Sequence, residues 1–224
     1  MLSRLRALAG GRPAAAARAR GVVPLAEYDL ALKAALVTLP ERTQAAFAAA
    51  CAERLYPAYA AFARASGRDD GGLVRQALDL AWQGAKLGVV PEADASGLVE
   101  RCVALIPDAE AEDAIPAHAD DGIASAAYAL QAAAGLDPRA AGWAAQRVTD
   151  ALDDFVRSND VDGTLPDAEQ LVWEHPLVRA EISRREDDLR RLSSASDWPA
   201  AVDGVRASAT AVSALPLERL DHEA

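Results

Sequence analysis

The chain has 224 residues, of which 51% are hydrophobic and 25% charged, and this ordinary globular composition excludes disorder as the default state. Its formal net charge of -11 disfavours nucleic acid and anionic membrane surfaces as partners, because charges of one sign repel each other. The two cysteines form no CxxC pair, which excludes a disulfide framework and a zinc ribbon and fits a reducing cytoplasm. No uninterrupted apolar run approaches the about 20 residues that span a bilayer, so we expect a soluble cytoplasmic protein.

The first twenty residues differ in charge from the rest of the chain. They contain five arginines and no acidic residue, so that the net charge of -11 leaves -16 on the remainder. We expect a basic, disordered arm over residues 1–20, a single all-α domain over 21–215 and a flexible acidic tail over 216–224. We favour such an arm, or extra sequence from a start codon assigned too early, over an organelle transit peptide, whose Arg- and Ala-rich, acid-free composition is similar.

Helix signals begin directly after this arm. Pro24 opens a first helix that runs to about Leu39. A second helix starts at Glu41, and its apolar residues are spaced by 4, 4, 3 and 4, as on one face of a helix: Phe47, Cys51, Leu55, Ala58 and Phe62. Gly67 ends this helix at a position that favours glycine.

Pro57 lies inside the second helix. A proline in a helix interior costs about 3 kcal/mol, because its ring clashes with the carbonyl of residue 53 and it donates no hydrogen bond. The apolar face nevertheless stays in phase from Leu55 to Ala58, which indicates one kinked helix. The carbonyls freed at the kink need donors, and the side chains of Arg54 or Arg75 could supply them.

Further amphipathic segments follow, with short loops between them. Their apolar faces occupy these ranges: 73–87, 98–105, 123–134, 141–155, 178–192 and 202–212. Pro166 opens a further, short helix before the one over 178–192. Asp120 or Asp121 is expected to cap the helix that follows an acidic, proline-containing loop over 106–121. No run alternates with period two for long enough to indicate a strand. We therefore predict an all-α, single-domain helical bundle or orthogonal helical array of about seven or eight helices.

A polar cluster beside the kink is the main candidate site. Its charged members could form one ion-pair network between the second and third helices. The residues are Glu53, Arg54, Tyr56, Tyr59, Arg75, Asp79 and Trp82. As an active site the cluster would offer carboxylates with shifted pKa values and tyrosines that donate protons. As a structural element it would fix the register of the helices, and we favour this interpretation and assign no catalytic residue.

The same stretch carries a resemblance to a known family. The string F-x3-C-x-E-R-x-Y-P-x-Y-x2-F over 47–62, followed by R-x2-LDL-x-W over 75–82, resembles the bacterial "domain of unknown function 416" family. Ile106-Pro107 and the H-P-L-V-x2-E block over 175–181 are similar to it as well. The likeness covers about residues 36–195. The family is all-α and uncharacterised, so that the resemblance implies a fold and no reaction.

One segment is a weak candidate for a calcium site. Residues 158–169 place Asp160, Asp162 and Glu169 at positions 3, 5 and 12 of an EF-hand loop. Ser158 replaces the first carboxylate of that loop, and Pro166 constrains its ninth position. A turn rich in Asp, Asn and Gly needs no ion to explain it, so we predict no tight metal site here.

Other chemistries lack support in the sequence. The three histidines are far apart, and no phosphate-binding glycine loop or nucleophile elbow occurs, so no cofactor is expected. Arg185 interrupts the apolar face of its helix one turn after Glu181, which indicates a partly buried ion pair. Three hypotheses remain: a non-enzymatic protein-interaction module with an acidic surface, an enzyme that uses Glu53, Arg54 and Asp79, and a weak calcium-binding module. We favour the first, with a protein as the partner.

Overall fold

The computed structural model describes residues 24–68, 70, 72–88, 90–106 and 115–220. The basic arm over 1–20, residues 107–114 of the acidic loop and the last four residues lie outside the described residues. The described residues contain nine α-helices: α1 (Pro24–Leu36), α2 (Glu41–Ser66), α3 (Leu73–Leu87), α4 (Glu92–Val103), α5 (Ala117–Ala133), α6 (Ala140–Asn159), α7 (Ala168–Glu174), α8 (Pro176–Ser193) and α9 (Trp198–Thr210). They contain no strand, which confirms the all-α prediction.

Helix α2 is the centre of the fold. Every residue from 43 to 55 is buried, and α2 packs against α3, α5, α6, α8 and α9. A helix that is covered on all sides needs small or apolar residues around its whole circumference, and six alanines occupy this stretch. The sequence pattern predicted one apolar face. The structure shows that the alanine face is buried as well, because neighbouring helices can approach small side chains closely.

A glycine allows one of these close approaches. Gly122 of α5 faces Tyr59 of α2, and a Cβ atom built at Gly122 would lie only 2.8 Å from the Tyr59 Cβ. This distance is shorter than carbon atoms in contact adopt. The α2–α5 contact therefore requires glycine at this position.

The proline kink is stabilised by a backbone group from the far end of the chain. Helix α2 continues through Pro57, as predicted. The amide of Ala214 donates a hydrogen bond to the Arg54 carbonyl at 2.7 Å. We predicted that arginine side chains donate hydrogen bonds to the freed carbonyls. This prediction was wrong, since Arg54 and Arg75 donate to other side chains. The donor is a backbone amide that follows α9 in sequence.

Helix α5 starts earlier than predicted. Pro116 is extended at its N-cap and the helix begins at Ala117, so neither Asp120 nor Asp121 is the cap. Proline suits this position because its fixed φ angle and missing N–H do not interrupt the helix that follows. Asp120 lies in the first turn, where its charge interacts favourably with the helix dipole.

The C-terminal segment packs against the domain. Residues 216–220 belong to the predicted tail, and they contain a short 3₁₀-helix (Leu217–Arg219). Leu217 and Leu220 pack against the core, and Arg219 pairs with Asp160 at 2.8 Å. The packed part of the chain therefore extends to Leu220. None of the described helices is long and apolar enough to cross a membrane.

Candidate functional site

The carboxylate of Glu53 is fully engaged inside the helical array. Arg75 of α3 donates to both of its oxygens, at 2.7 and 3.1 Å, and the indole N–H of Trp82 donates to Oε2 at 2.7 Å. The Glu53 side chain is only 4% exposed. Three donors thus surround the Glu53 carboxylate, and Glu53 does not line the groove described below.

Asp79 and Tyr56 complete this cluster at the surface. Arg75 also donates to Asp79 at 2.9 Å, one turn further along α3, and Arg206 of α9 pairs with the same oxygen. The Arg75 guanidinium lies 5.0 Å from the centre of the Tyr56 ring, a distance typical of a cation–π contact. The Glu53 cluster, which we define as Glu53, Arg75, Trp82, Asp79 and Tyr56, thus joins α2 to α3, and Arg206 links it to α9.

The predicted site is incomplete, because Tyr59 and Arg54 contact other groups. The Tyr59 hydroxyl donates to Asp70 at 2.6 Å, and burial together with this carboxylate raises the pKa of the Tyr59 hydroxyl. Arg54 is adjacent to Glu53 in sequence but points to another part of the fold. The structure therefore divides the predicted cluster into separate contacts.

Arg54 pairs with two carboxylates of α8. Its Nε and Nη2 atoms donate to the two oxygens of Glu181, both at 3.0 Å, and Nη1 donates to Asp188 at 2.7 Å. The Arg54 and Glu181 side chains are each 1% exposed. This bidentate geometry gives strong, directional hydrogen bonds.

Arg185 extends the same buried network. It donates to Glu181 at 3.0 Å, to the Thr149 hydroxyl at 3.0 Å and to the Ala145 carbonyl at 2.9 Å. The predicted Glu181–Arg185 pair is therefore present, and it is fully rather than partly buried. Sequence reasoning missed Asp188, although Glu181, Arg185 and Asp188 follow each other at spacings of four and three residues. Three charged residues on the inner face of α8 were the signal that could have revealed this network.

The charges of this network are fixed by their mutual contacts. Burial by itself would raise the pKa of Glu181, but the attraction of Arg54 and Arg185 outweighs it and holds that pKa below its usual value. Burial raises the pKa of Asp188, and Arg54 opposes the shift only in part. The network can stabilise the array. It offers no group that is both open to a substrate and ready to transfer a proton.

An open groove lies elsewhere, between α1, α6 and the start of α7. It has a volume of about 470 Å³. Four carboxylates, two cationic groups and several apolar or amide side chains surround it: Leu25, Ala26, Asp29, Leu30, Lys33, Gln146, Thr149, Asp150, Asp153, Arg157 and Glu169. The groove therefore combines a net negative lining with exposed apolar surface, including Leu30, which is 68% exposed.

The carboxylates of the weak calcium candidate bind groups of the chain itself. Their contacts are Asp160 with Arg219 at 2.8 Å and His175 at 3.4 Å, Asp162 with the Thr164 amide at 2.9 Å and hydroxyl at 2.7 Å, and Glu169 with Arg157 at 2.6 Å. Among the described residues, no three histidine, cysteine or acidic side chains are placed to hold a metal ion. Internal partners thus satisfy each of the three carboxylates.

Comparison with known proteins decides the family. The model of the family described as "Protein of unknown function (DUF416)" matches residues 31–213. The chain belongs to the DUF416 family. The match extends beyond the range of about 36–195 over which the sequence resembled this family, and it confirms the resemblance.

A crystal structure supports the fold of this DUF416 protein. A DUF416 family protein from Shewanella baltica OS155 is 19% identical in sequence and superposes with a TM-score of 0.65. The alignment covers 80% of the present chain and 94% of the Shewanella chain. A search among curated proteins finds no match. The similarity establishes the helical fold and assigns no activity.

The residues that carried the family resemblance belong to the core of this DUF416 chain. Phe47, Cys51 and Phe62 are buried, and Glu53 and Arg54 hold the two ion-pair networks described above. Burial raises the pKa of the Cys51 thiol to about 12, so that this cysteine stays a neutral core residue. The residues of the family motif therefore hold the helices together in this chain.

Proposed function

We propose that this DUF416 protein is a non-enzymatic protein-interaction module, and that a basic segment of a partner protein binds in the groove between α1 and α6. The observation that carries the proposal is the groove itself, which combines about 470 Å³ of open volume with four carboxylates and exposed leucine surface. Concave sites that combine apolar walls with a few polar groups are typical ligand sites. The charge of the lining favours a cationic ligand.

The geometry of the Glu53 cluster supports a structural role for the predicted polar residues. An enzyme that used Glu53, Arg54 and Asp79 would need these groups to open into one pocket. Glu53 and Arg54 are buried and bind different partners, and only Asp79 is exposed. None of the three lines the groove.

The charge of the whole chain supports a basic partner. With five arginines in the first twenty residues, the net charge of -11 leaves -16 on the rest of the chain. A field of this sign accelerates encounters with basic proteins and repels nucleic acids. We place the protein in the cytoplasm, since Cys51 and Cys102 are both free thiols.

The experiment compares matched charge variants of the full chain. Asp150→Asn with Asp153→Asn removes two charges from the groove, whereas Asp154→Asn with Asp187→Asn removes two charges outside it. Decalysine, as a model basic segment, should bind the native chain and the outer variant equally and the groove variant at least several-fold more weakly. Equal binding to the groove and outer variants would contradict the proposed site. A partner captured from lysate should show the same pattern.

A further inference from the structure

The groove shares two residues, Asp29 and Thr149, with the buried charge network. Two guanidinium groups, those of Arg54 and Arg185, already serve Glu181 and Asp188. Asp29 of α1 lies at the edge of this network as a further carboxylate, is only 7% exposed, and lines the floor of the groove. Asp29 therefore connects the buried charge network to the open groove.

The two oxygens of Asp29 have different surroundings. Oδ1 accepts a hydrogen bond from the Thr149 hydroxyl at 3.2 Å and lies 3.7 Å from Nη1 of Arg185. In the part of the chain that the structure describes, no hydrogen bond or ion pair reaches Oδ2. The Asp29 side chain is only 10% exposed, so a cation at Oδ2 would offset part of the cost of burying its charge.

The cationic residues of the groove wall do not supply this donor. Lys33 lies one turn after Asp29 on α1, but its ammonium group donates to Gln146. Arg157 pairs with Asp153 and Glu169 instead. Oδ2 of Asp29 is therefore open to a cation that enters the groove.

We propose that Oδ2 of Asp29 receives the ammonium group of a lysine side chain from the docked segment, with Leu25 and Leu30 beside its aliphatic stem. This inference rests on the proposed function, because it names the group by which the basic segment binds. The compact ammonium group suits the site better than a guanidinium, since bidentate pairing would require both carboxylate oxygens and Oδ1 is already engaged.

Competition between the lysine and a proton gives the site a pH dependence. Burial raises the pKa of Asp29 to about 6, against the opposing effects of Arg185, Thr149 and Lys33, and Asp150 adds to the increase. The protonated carboxyl does not attract an ammonium group. Lysine binding should therefore be strongest above about pH 6 and weaken as the pH falls through that value.

The test uses the full chain, its Asp29→Asn variant and two peptides, decalysine and decaarginine. Asparagine keeps an oxygen for Thr149 and removes only the charge. At about pH 8 the substitution should weaken decalysine binding about tenfold, and decaarginine binding less, as loss of one charged hydrogen bond predicts. At about pH 5 the native chain and the variant should bind decalysine almost equally. Melting temperatures verify that both proteins are folded.

The outcomes separate this inference from the proposed function. Decalysine affinity that is unchanged by Asp29→Asn at about pH 8 would overturn the lysine subsite. If Asp150→Asn with Asp153→Asn still weakens binding in that case, the groove remains the docking site and only the inference fails. If none of these substitutions affects binding, both fail. An equal loss of decalysine and decaarginine affinity would reject the preference for lysine.

Discussion

Arg54 is the single side chain on which the α2–α8 contact most depends. It forms bidentate hydrogen bonds with Glu181 and a further one with Asp188, and it is 1% exposed. Arg54→Ala leaves these buried carboxylates with fewer donors, so we expect the free energy of unfolding to fall by about 3–5 kcal/mol. Urea unfolding followed by circular dichroism measures this change.

A surface arginine provides the control for that prediction. Arg206 pairs with Asp79, and both side chains are more than 40% exposed. Arg206→Ala should therefore cost less than about 1 kcal/mol. A urea midpoint that Arg54→Ala leaves unchanged would show that the buried network does not stabilise the fold.

Asp29 should make stability depend on pH even without a ligand. Its pKa is raised to about 6, so the folded state favours the protonated form. The stability that this proton contributes is present below the pKa of the unfolded chain, near 3.8, and is lost as the pH rises through about 6. Asp29→Asn removes the ionised carboxyl, and we expect the melting temperature to rise by a few degrees at about pH 8.

The same substitution should have little effect near pH 5, where Asp29 is mostly protonated. Thermal unfolding of both proteins across this pH range measures the difference. A melting-temperature difference that is larger at the acidic end would contradict the raised pKa of Asp29.

At the scale of helices, the α2–α5 contact depends on one missing side chain. A Cβ atom at Gly122 would lie 2.8 Å from the Tyr59 Cβ, and neither atom can move without its helix. We expect Gly122→Ala to destabilise the protein by about 1–3 kcal/mol, since overpacking forces the helices apart. Urea unfolding is again the measurement.

Gly204 of α9 gives the matched control, because a Cβ atom there would have no neighbour within 4 Å. Gly204→Ala should raise the free energy of unfolding by about 0.5–1 kcal/mol through helix propensity alone. If both substitutions stabilise the protein, the close approach of α2 and α5 is not rigid.

At the scale of the whole molecule, charge should govern the rate of association. Residues after the first twenty carry -16, and such a field attracts a basic partner over several ångströms of water. We expect the association rate of a captured partner to fall at least several-fold between about 0.05 and 0.5 M salt, as the Debye length shortens. Stopped-flow or surface-based kinetics would measure it. If the association rate does not change with salt concentration, the acidic surface has no role in binding.

The candidate site shows where sequence reasoning stops. The Glu53–Arg75 contact joins neighbouring helices 22 residues apart, and the helical pattern placed these residues close enough to predict it. Glu181 is 127 residues from Arg54, and no local pattern indicates which remote helix covers a given face. Asp29 was missed because it lies in an ordinary amphipathic helix, where its burial depends on α6 and α8.

The sequence by itself determined the helices, because their signals are local. These signals are a period of 3.6 residues, proline at helix starts and Gly67 at the end of α2. Because they depend only on neighbouring residues, they predict α1, α2 and the later helices without any information on which helices pack together. Tertiary structure alone decided that Arg54 faces α8, that the Ala214 amide donates to the Arg54 carbonyl at the kink, and that a groove opens beside Asp29. These features depend on how the alanine-rich helices pack. Because the surfaces of such helices are alike, they can pack against one another in many arrangements, and the sequence pattern does not say which one forms. Buried ion pairs and close contacts such as that at Gly122 select one arrangement only when all helices are in place.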